Sequence, residues 1–249
     1  MSSSLRSRAS RRSLLAGLLA LLAFGPGAQA AGAGSSTASL RAVAQSVHVV
    51  GSGSLNWTVA VRSAPRADAR RVAVLHEFRS SYRPQLVLAS EELRDAKTGK
   101  PTWYRVVVPG RPNGRTGWIP AGAADVRPVR KVIVIDRSER RLELWAGSRR
   151  VLGTTVAVGA KGMETPLGLF YVQWKFVPTA PILGAYAFET SAYSKLSDWP
   201  GGGVVGVHGT PWPWLLGQAV SHGCVRVLNR DILRLRGLVP VGTPVKIVA

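Results

Sequence analysis

Apolar residues in this chain recur at every second position, in short runs cut by turn residues, and a backbone patterned in this way is committed to strands. Val47–Val50, Thr58–Arg62, Val72–Leu75, Leu86–Leu88 and Trp103–Val108 form a first group, with turn signals at Pro109-Gly110, Asn113-Gly114 and Thr116-Gly117. Five short strands within residues 47–126 predict a small barrel. A second group follows the junction Arg127-Pro128-Val129-Arg130. Lys131–Asp136 and Arg141–Trp145 pair through a turn at Arg137–Arg140, and Val151–Val158, Leu169–Trp174, Val204–Val207 and Thr243–Val248 read as further strands. Residues 177–203 mix Gly, Pro and polar residues and read as a long loop with short pieces of structure, of the kind that serves as a lid. Asn229 or Asp231 is placed to cap a helix running through Arg236, with Gly237 at its end. The chain is therefore mainly β with one or two short helices, in two domains at 47–126 and 129–249. Its hydrophobic fraction of 46% supplies cores for both.

The beginning of the chain narrows where such a protein works. Residues 1–30 place a basic stretch ahead of an apolar run from Leu14 to Phe24, followed by Ala28-Gln29-Ala30, the order of a cleavable secretory signal. Arg11-Arg12 beside Leu14-Leu15 fits a twin-arginine export signal, and an Arg-rich general secretory signal fits equally. The expected location is the cell envelope, in the periplasm or the wall. Residues 31–46, rich in Ala, Gly and Ser, read as a flexible lead. The formal charge is +20, of which the four Arg of residues 1–30 account for part. A charge of this size draws the chain to polyanions. Export argues for anionic wall polymers rather than nucleic acid, and no nucleic-acid motif accompanies the charge.

Chemistry is concentrated around one residue. Cys224 is the single cysteine, so an exported chain carries it as a free thiol. His208-Gly209-Thr210 stands at the end of a strand, and Ser221-His222-Gly223-Cys224-Val225-Arg226 follows. A thiol needs a base or a positive surrounding to react near neutral pH, and two His and one Arg lie within sixteen residues of this one. The Gly-containing bend before Cys224 frees backbone N–H groups of the kind an oxyanion hole uses. Cys and His on adjoining loops suit acyl transfer through a thioester. Zinc ligation by His208, His222 and Cys224 is disfavoured, because no acidic residue or second Cys stands nearby and the His222–Cys224 spacing is wrong for ligands. No cofactor or metal is expected.

These residues closely resemble the catalytic domain of the YkuD-type L,D-transpeptidases, whose pattern is His-Gly, a gap, then Ser-x-Gly-Cys-x-Arg. Gly162–Phe170, Trp199–Gly203 and Val241–Val245 agree with it, and the resemblance covers about residues 129–249. Val61–Pro65, Trp103–Val106 and Gly114–Ile119 resemble a bacterial SH3-like domain, which binds wall peptide or positions a partner domain. The resemblance implies a cell-wall enzyme forming 3→3 cross-links between peptidoglycan stem peptides. Cys224 then attacks the donor tetrapeptide, His208 takes the thiol proton, and the Gly209 carbonyl orients the imidazole. Backbone N–H groups of His222, Gly223 and Cys224 hold the oxyanion, Ser221 and His222 shape the loop, and Arg226 orients it or meets a substrate carboxylate. An acceptor amine resolves the thioester. Thr210, Trp199, Tyr193 and Trp212 are expected near the substrate, with Tyr186 and Trp214 as further cleft candidates.

Two other readings stay open at this stage. The same site acting with water is an L,D-carboxypeptidase, and an inert version is a wall-binding protein. Papain-like wall peptidases place Cys before His in the chain, the reverse of the order here, and the sortase motif is absent. A reactive Cys224 is expected to be labelled by a carbapenem or iodoacetamide at pH values below those of a free thiol. No specific protein partner is predicted.

Overall fold

The computed structural model describes residues 31–198 and 201–249, so the segment 1–30 read as an export signal lies outside the described residues. The first domain is a six-stranded antiparallel sheet. Its strands are β1 (Gly51–Ser54), β2 (Val59–Arg62), β3 (Arg71–Leu75), β4 (Leu86–Arg94), β5 (Pro101–Val107) and β6 (Thr116–Pro120), in the order β1-β4-β5-β6-β2-β3. Val61, Val87, Val106 and Ile119 are fully buried in its core, one from each of four strands. The first strand lies at Gly51–Ser54 rather than at Val47–Val50. Gly-Ser-Gly-Ser has no apolar signal, but a Cβ at Gly51 would sit 2.1 Å from the Arg127 carbonyl oxygen, so close backbone approach selects glycine there.

The second domain is an eight-stranded sheet. It comprises β7 (Lys131–Asp136), β8 (Arg141–Ala146), β9 (Arg149–Thr155), β11 (Gly168–Phe176), β12 (Ala187–Tyr193), β13 (Val204–His208), β15 (Val225–Arg226) and β16 (Pro244–Val248). A short parallel pair, β10 (Val158–Gly159) with β14 (Ala219–Ser221), lies beside it. The order is β15-β13-β12-β11-β16-β7-β8-β9, antiparallel except for the parallel pairs β13–β15 and β16–β7. The sheet curls until its ends meet: Ala157, just beyond β9, and Arg226 in β15 exchange two backbone hydrogen bonds of 2.9 Å. Closure hides both edges and wraps the sheet around a core that includes Ile133, Leu144, Phe170, Phe188, Val207 and Ile232.

Three further parts differ from the sequence reading. β12 crosses the stretch expected to be a loop. Ala-Phe-Glu-Thr-Ser-Ala-Tyr lacks alternation because its buried polar groups are satisfied internally, as where Thr190 Oγ1 donates to the Val205 carbonyl at 2.6 Å. The C-terminal helix, α2 (Asn229–Leu238), runs through Gly237 instead of stopping there. Asn229 does not cap it: its Oδ1 accepts the Ala185 N–H at 2.9 Å, and Asp231 accepts the Thr154 hydroxyl at 2.7 Å. Finally, the segment expected to be a flexible lead is a helix, α1 (Ala31–Ser46). The face of β7 and β8 away from the main core carries Val132, Val134 and Trp145, and Leu40 and Ala44 cover it. That apolar face, rather than local propensity, orders the segment.

The two domains touch along a polar and apolar seam. Leu88 and Val107 pack on Tyr171, whose hydroxyl donates to the Leu86 carbonyl at 2.7 Å. Tyr171 is completely buried, and burial pushes its phenol above the ordinary range. Tyr171→Phe removes one of the two donors to the Leu86 carbonyl, the other being Gln85 Nε2 at 2.7 Å, and is expected to destabilise the chain by about 1 kcal/mol. Chemical denaturation checks this, and an unchanged midpoint would show that the bond adds nothing across the seam.

Candidate active site

The two halves of the motif meet because β13 and β15 run parallel, with Val207 beside Val225 and His208 beside Arg226. That register puts Cys224 next to Gly206, whose N–H donates to Sγ at 3.3 Å. A Cβ at Gly206 would lie 3.8 Å from His208 Cδ2 and 4.0 Å from Cys224 Sγ, so the thiol and the imidazole flank one glycine. His208 is 3% exposed, and its Nδ1 lies 2.6 Å from the Gly209 carbonyl oxygen. A carbonyl only accepts, so the Gly209 contact assigns the proton to Nδ1 and the lone pair to Nε2.

The loop carrying Cys224 is tied down by side chains. The Ser221 hydroxyl donates to the Cys224 carbonyl at 2.5 Å and accepts the Gly223 N–H at 3.2 Å. Thr165 Oγ1 donates to the Gly223 carbonyl and accepts the Gly159 N–H, both at 2.9 Å. Gly223 has φ 114°, and a Cβ there would lie 2.8 Å from Ser194 Cβ, so conformation and space both require glycine. Thr165 is fully buried, yet only its place in the Gly162–Phe170 stretch marks it in sequence. Asn229, likewise not singled out as a site residue, meets Gly209: a Cβ at 209 would lie 2.1 Å from its Oδ1.

The remaining expected residues divide. His222, Arg226 and Tyr193 join Cys224, His208 and Ser221 in lining one cleft of about 800 Å³. Arg226 is 8% exposed, its guanidinium lies 5.7 Å from the Trp212 ring centroid, and its Nε is buried without a hydrogen-bond partner among the described residues. Trp212 therefore stands behind Arg226 rather than on the cleft wall. Thr210 is buried and accepts the Trp212 N–H at 3.1 Å, which makes it a turn residue. Tyr186 packs edge-on against Phe188, and Trp214 is 68% exposed. Trp199 lies outside the described residues. Among the described residues no group of three His, Cys, Asp or Glu side chains is arranged to hold a metal ion.

Burial controls the protonation states. It lowers the His208 imidazole to about 4, with Arg226 acting in the same sense, although the Gly209 and Leu183 carbonyls favour the protonated ring. Burial also pushes the Cys224 thiol up, against the Gly206 N–H and the Arg226 charge, which both favour thiolate. Both shifts favour the neutral forms, a thiol beside an unprotonated imidazole, with Cys224 itself half-buried in the cleft wall. The sign follows: the imidazole stays free to accept a proton at every pH above about 4, and thiolate accumulates only above the ordinary thiol range. The ultraviolet thiolate absorbance, taken as the difference between the protein and its Cys224→Ala variant, is expected to rise only at alkaline pH. A plateau already reached at neutral pH would contradict this protonation state.

Residues 130–247 match the YkuD family model, described as the L,D-transpeptidase catalytic domain. A Bacillus licheniformis protein carrying the L,D-transpeptidase name YkuD is 35% identical over 115 residues, covering 46% of this chain and 64% of that protein. A Salmonella typhimurium protein carrying the L,D-transpeptidase name ErfK/SrfK is 34% identical over 138 residues, covering 48% of this chain and 45% of its own length. The chain thus spans less than two thirds of each of these curated relatives. Among solved structures, the catalytic domain of the Enterococcus faecium L,D-transpeptidase is 24% identical, covers 47% of this chain and 96% of that one, and superposes with a TM-score of 0.38.

Proposed function

We propose that this chain is a peptidoglycan L,D-transpeptidase that forms 3→3 cross-links through a thioester on Cys224. The observation that carries the reading is the ordered pair at the cleft: a thiol and an imidazole flanking Gly206, with Nδ1 engaged by the Gly209 carbonyl and Nε2 left as the base. The match of residues 130–247 to the L,D-transpeptidase model supports it.

The chemistry runs as follows. Cys224 Sγ attacks the carbonyl of the diamino acid in a donor tetrapeptide stem, and its proton passes to His208 Nε2. The C–N bond to the terminal D-amino acid breaks, and the departing amine takes that proton, leaving the thioester. An acceptor amine from a second stem attacks the thioester, gives a proton to His208, and releases the thiol as the cross-link forms. The Gly223 N–H is already bonded to Ser221 Oγ, so we assign the oxyanion chiefly to the Cys224 amide. Ser221 acts by fixing the loop and Arg226 by its positive charge at the cleft. Export by the segment 1–30, an SH3-like role for the first domain and adhesion of the +20 chain to anionic wall polymers belong to the same reading.

Incubation with a tetrapeptide-stem muropeptide, followed by mass spectrometry, tests the proposal. A cross-linked dimer that has lost one D-amino acid is expected. A trimmed tripeptide alone would mean that water is the acceptor and the activity an L,D-carboxypeptidase. Cys224→Ala is expected to abolish turnover, and His208→Ala to lower kcat by about a thousandfold. Near-normal turnover in either variant refutes the assigned roles.

A further inference from the structure

The cleft that contains Cys224 does not end at the catalytic domain. Arg79, Ser80 and Ser81 line it too, and they belong to the first domain, outside the matched segment 130–247. They sit on a tight loop between β3 and β4, closed by the Arg79 N–H donating to the Arg83 carbonyl and the Tyr82 N–H donating to the Arg79 carbonyl, both at 2.8 Å. Tyr82 holds a positive φ of 58° while its side chain is 91% exposed. A non-glycine residue in that conformation carries backbone strain.

The loop is fastened to the cleft wall electrostatically. Arg79 pairs with Glu189 of β12, and Arg83 reaches the other oxygen of the same carboxylate at 3.4 Å while its guanidinium lies 4.6 Å from the Trp174 ring centroid. Two guanidinium groups on one carboxylate leave a net positive charge at this end of the cleft. Arg79 Nη1 is buried and has no hydrogen-bond partner among the described residues. Buried donors in folded proteins are nearly always satisfied, so this guanidinium keeps donor capacity that its pair with Glu189 does not use. The adjacent hydroxyls of Ser80 and Ser81 are exposed on the same wall. A guanidinium flanked by hydroxyls suits a carboxylate, because charge-assisted bonds to a planar fork are the strong ones.

A second contact fixes this side of the cleft. Arg111 of the first domain donates to the carbonyls of Ser194, Leu196 and Gly202 and lies 5.1 Å from the Tyr193 ring centroid. Asn113 brackets Tyr193, accepting its N–H at 3.0 Å and donating to its carbonyl at 2.6 Å. The first domain therefore both contributes to the wall and holds the stretch of catalytic domain that faces it.

We propose that Arg79, with Ser80 and Ser81, is a carboxylate subsite, through which the first domain binds a carboxylate of the peptide whose acyl group reaches Cys224. This rests on the stem-peptide reading of the cleft. The test uses the full chain and measures how a tetrapeptide stem protects Cys224 from iodoacetamide, comparing the peptide with its carboxamide analogues, one carboxyl at a time. The parent peptide is expected to half-protect at a concentration about tenfold below that of one analogue. Arg79→Gln brings that ratio close to one, and Arg79→Lys retains part of it. Ser80→Ala/Ser81→Ala, at exposed positions, raises the half-protecting concentration of the parent peptide several-fold, which keeps the idea testable if Arg79→Gln folds poorly. Discrimination between carboxylate and carboxamide that persists in Arg79→Gln, or is absent from the unaltered protein, overturns the subsite alone. A lack of any protection of the unaltered protein overturns the stem-peptide reading and the subsite with it.

Discussion

The parallel pairing of β13 with β15 is the constraint on which the site depends. It brings together His208 and Cys224, sixteen positions apart, on either side of Gly206. The pairing is itself held from both sides. Ala157 and Arg226 close the curled sheet onto β15, and the Val227 N–H donates to the His208 carbonyl at 2.9 Å. A one-residue slip would turn every side chain of β15 to the opposite face and carry Cys224 away from Gly206. Gly206 allows no such freedom, since a Cβ there would approach the Phe188 carbonyl oxygen to 3.2 Å.

Burial then sets how the pair works. Burial lowers the imidazole and raises the thiol, which favours the neutral form of each. A low-dielectric surrounding also strengthens every donor aimed at a developing charge. The enclosure is a joint product of the two domains. Glu189 binds two arginines of the first domain, and Arg111 and Asn113 grip the stretch following β12. Loss of the first domain would remove a wall of the cleft and not merely a tether.

The legible parts of the fold were those whose residues alternate. β2, β3, β5, β7, β8 and β16 stand close to where period two puts them, and the strands before and after the 127–130 junction belong to separate sheets. β12 was hidden because Glu189, Thr190 and Ser191 are polar yet inside, each satisfied by a partner distant in sequence. α1 was hidden because Ala, Gly and Ser carry little periodicity, and the surface that orders it lies about ninety residues away in sequence at Val132 and Val134. At the cleft, His208, Ser221 and Cys224, singled out by their spacing, come together on one wall. Thr210 and Trp212 were near in sequence but lie behind the wall, and Arg79 gave no signal, because its importance exists only once the domains touch.

The central claim is that Cys224 carries the acyl group. Its most direct test is the intact mass of the full chain quenched during turnover of a tetrapeptide stem, followed by peptide mapping. The account predicts an adduct equal to the stem without its terminal D-amino acid, located on Cys224 and removed by an added acceptor amine. An unmodified protein that nonetheless releases the D-amino acid, or an adduct on any other residue, would contradict it.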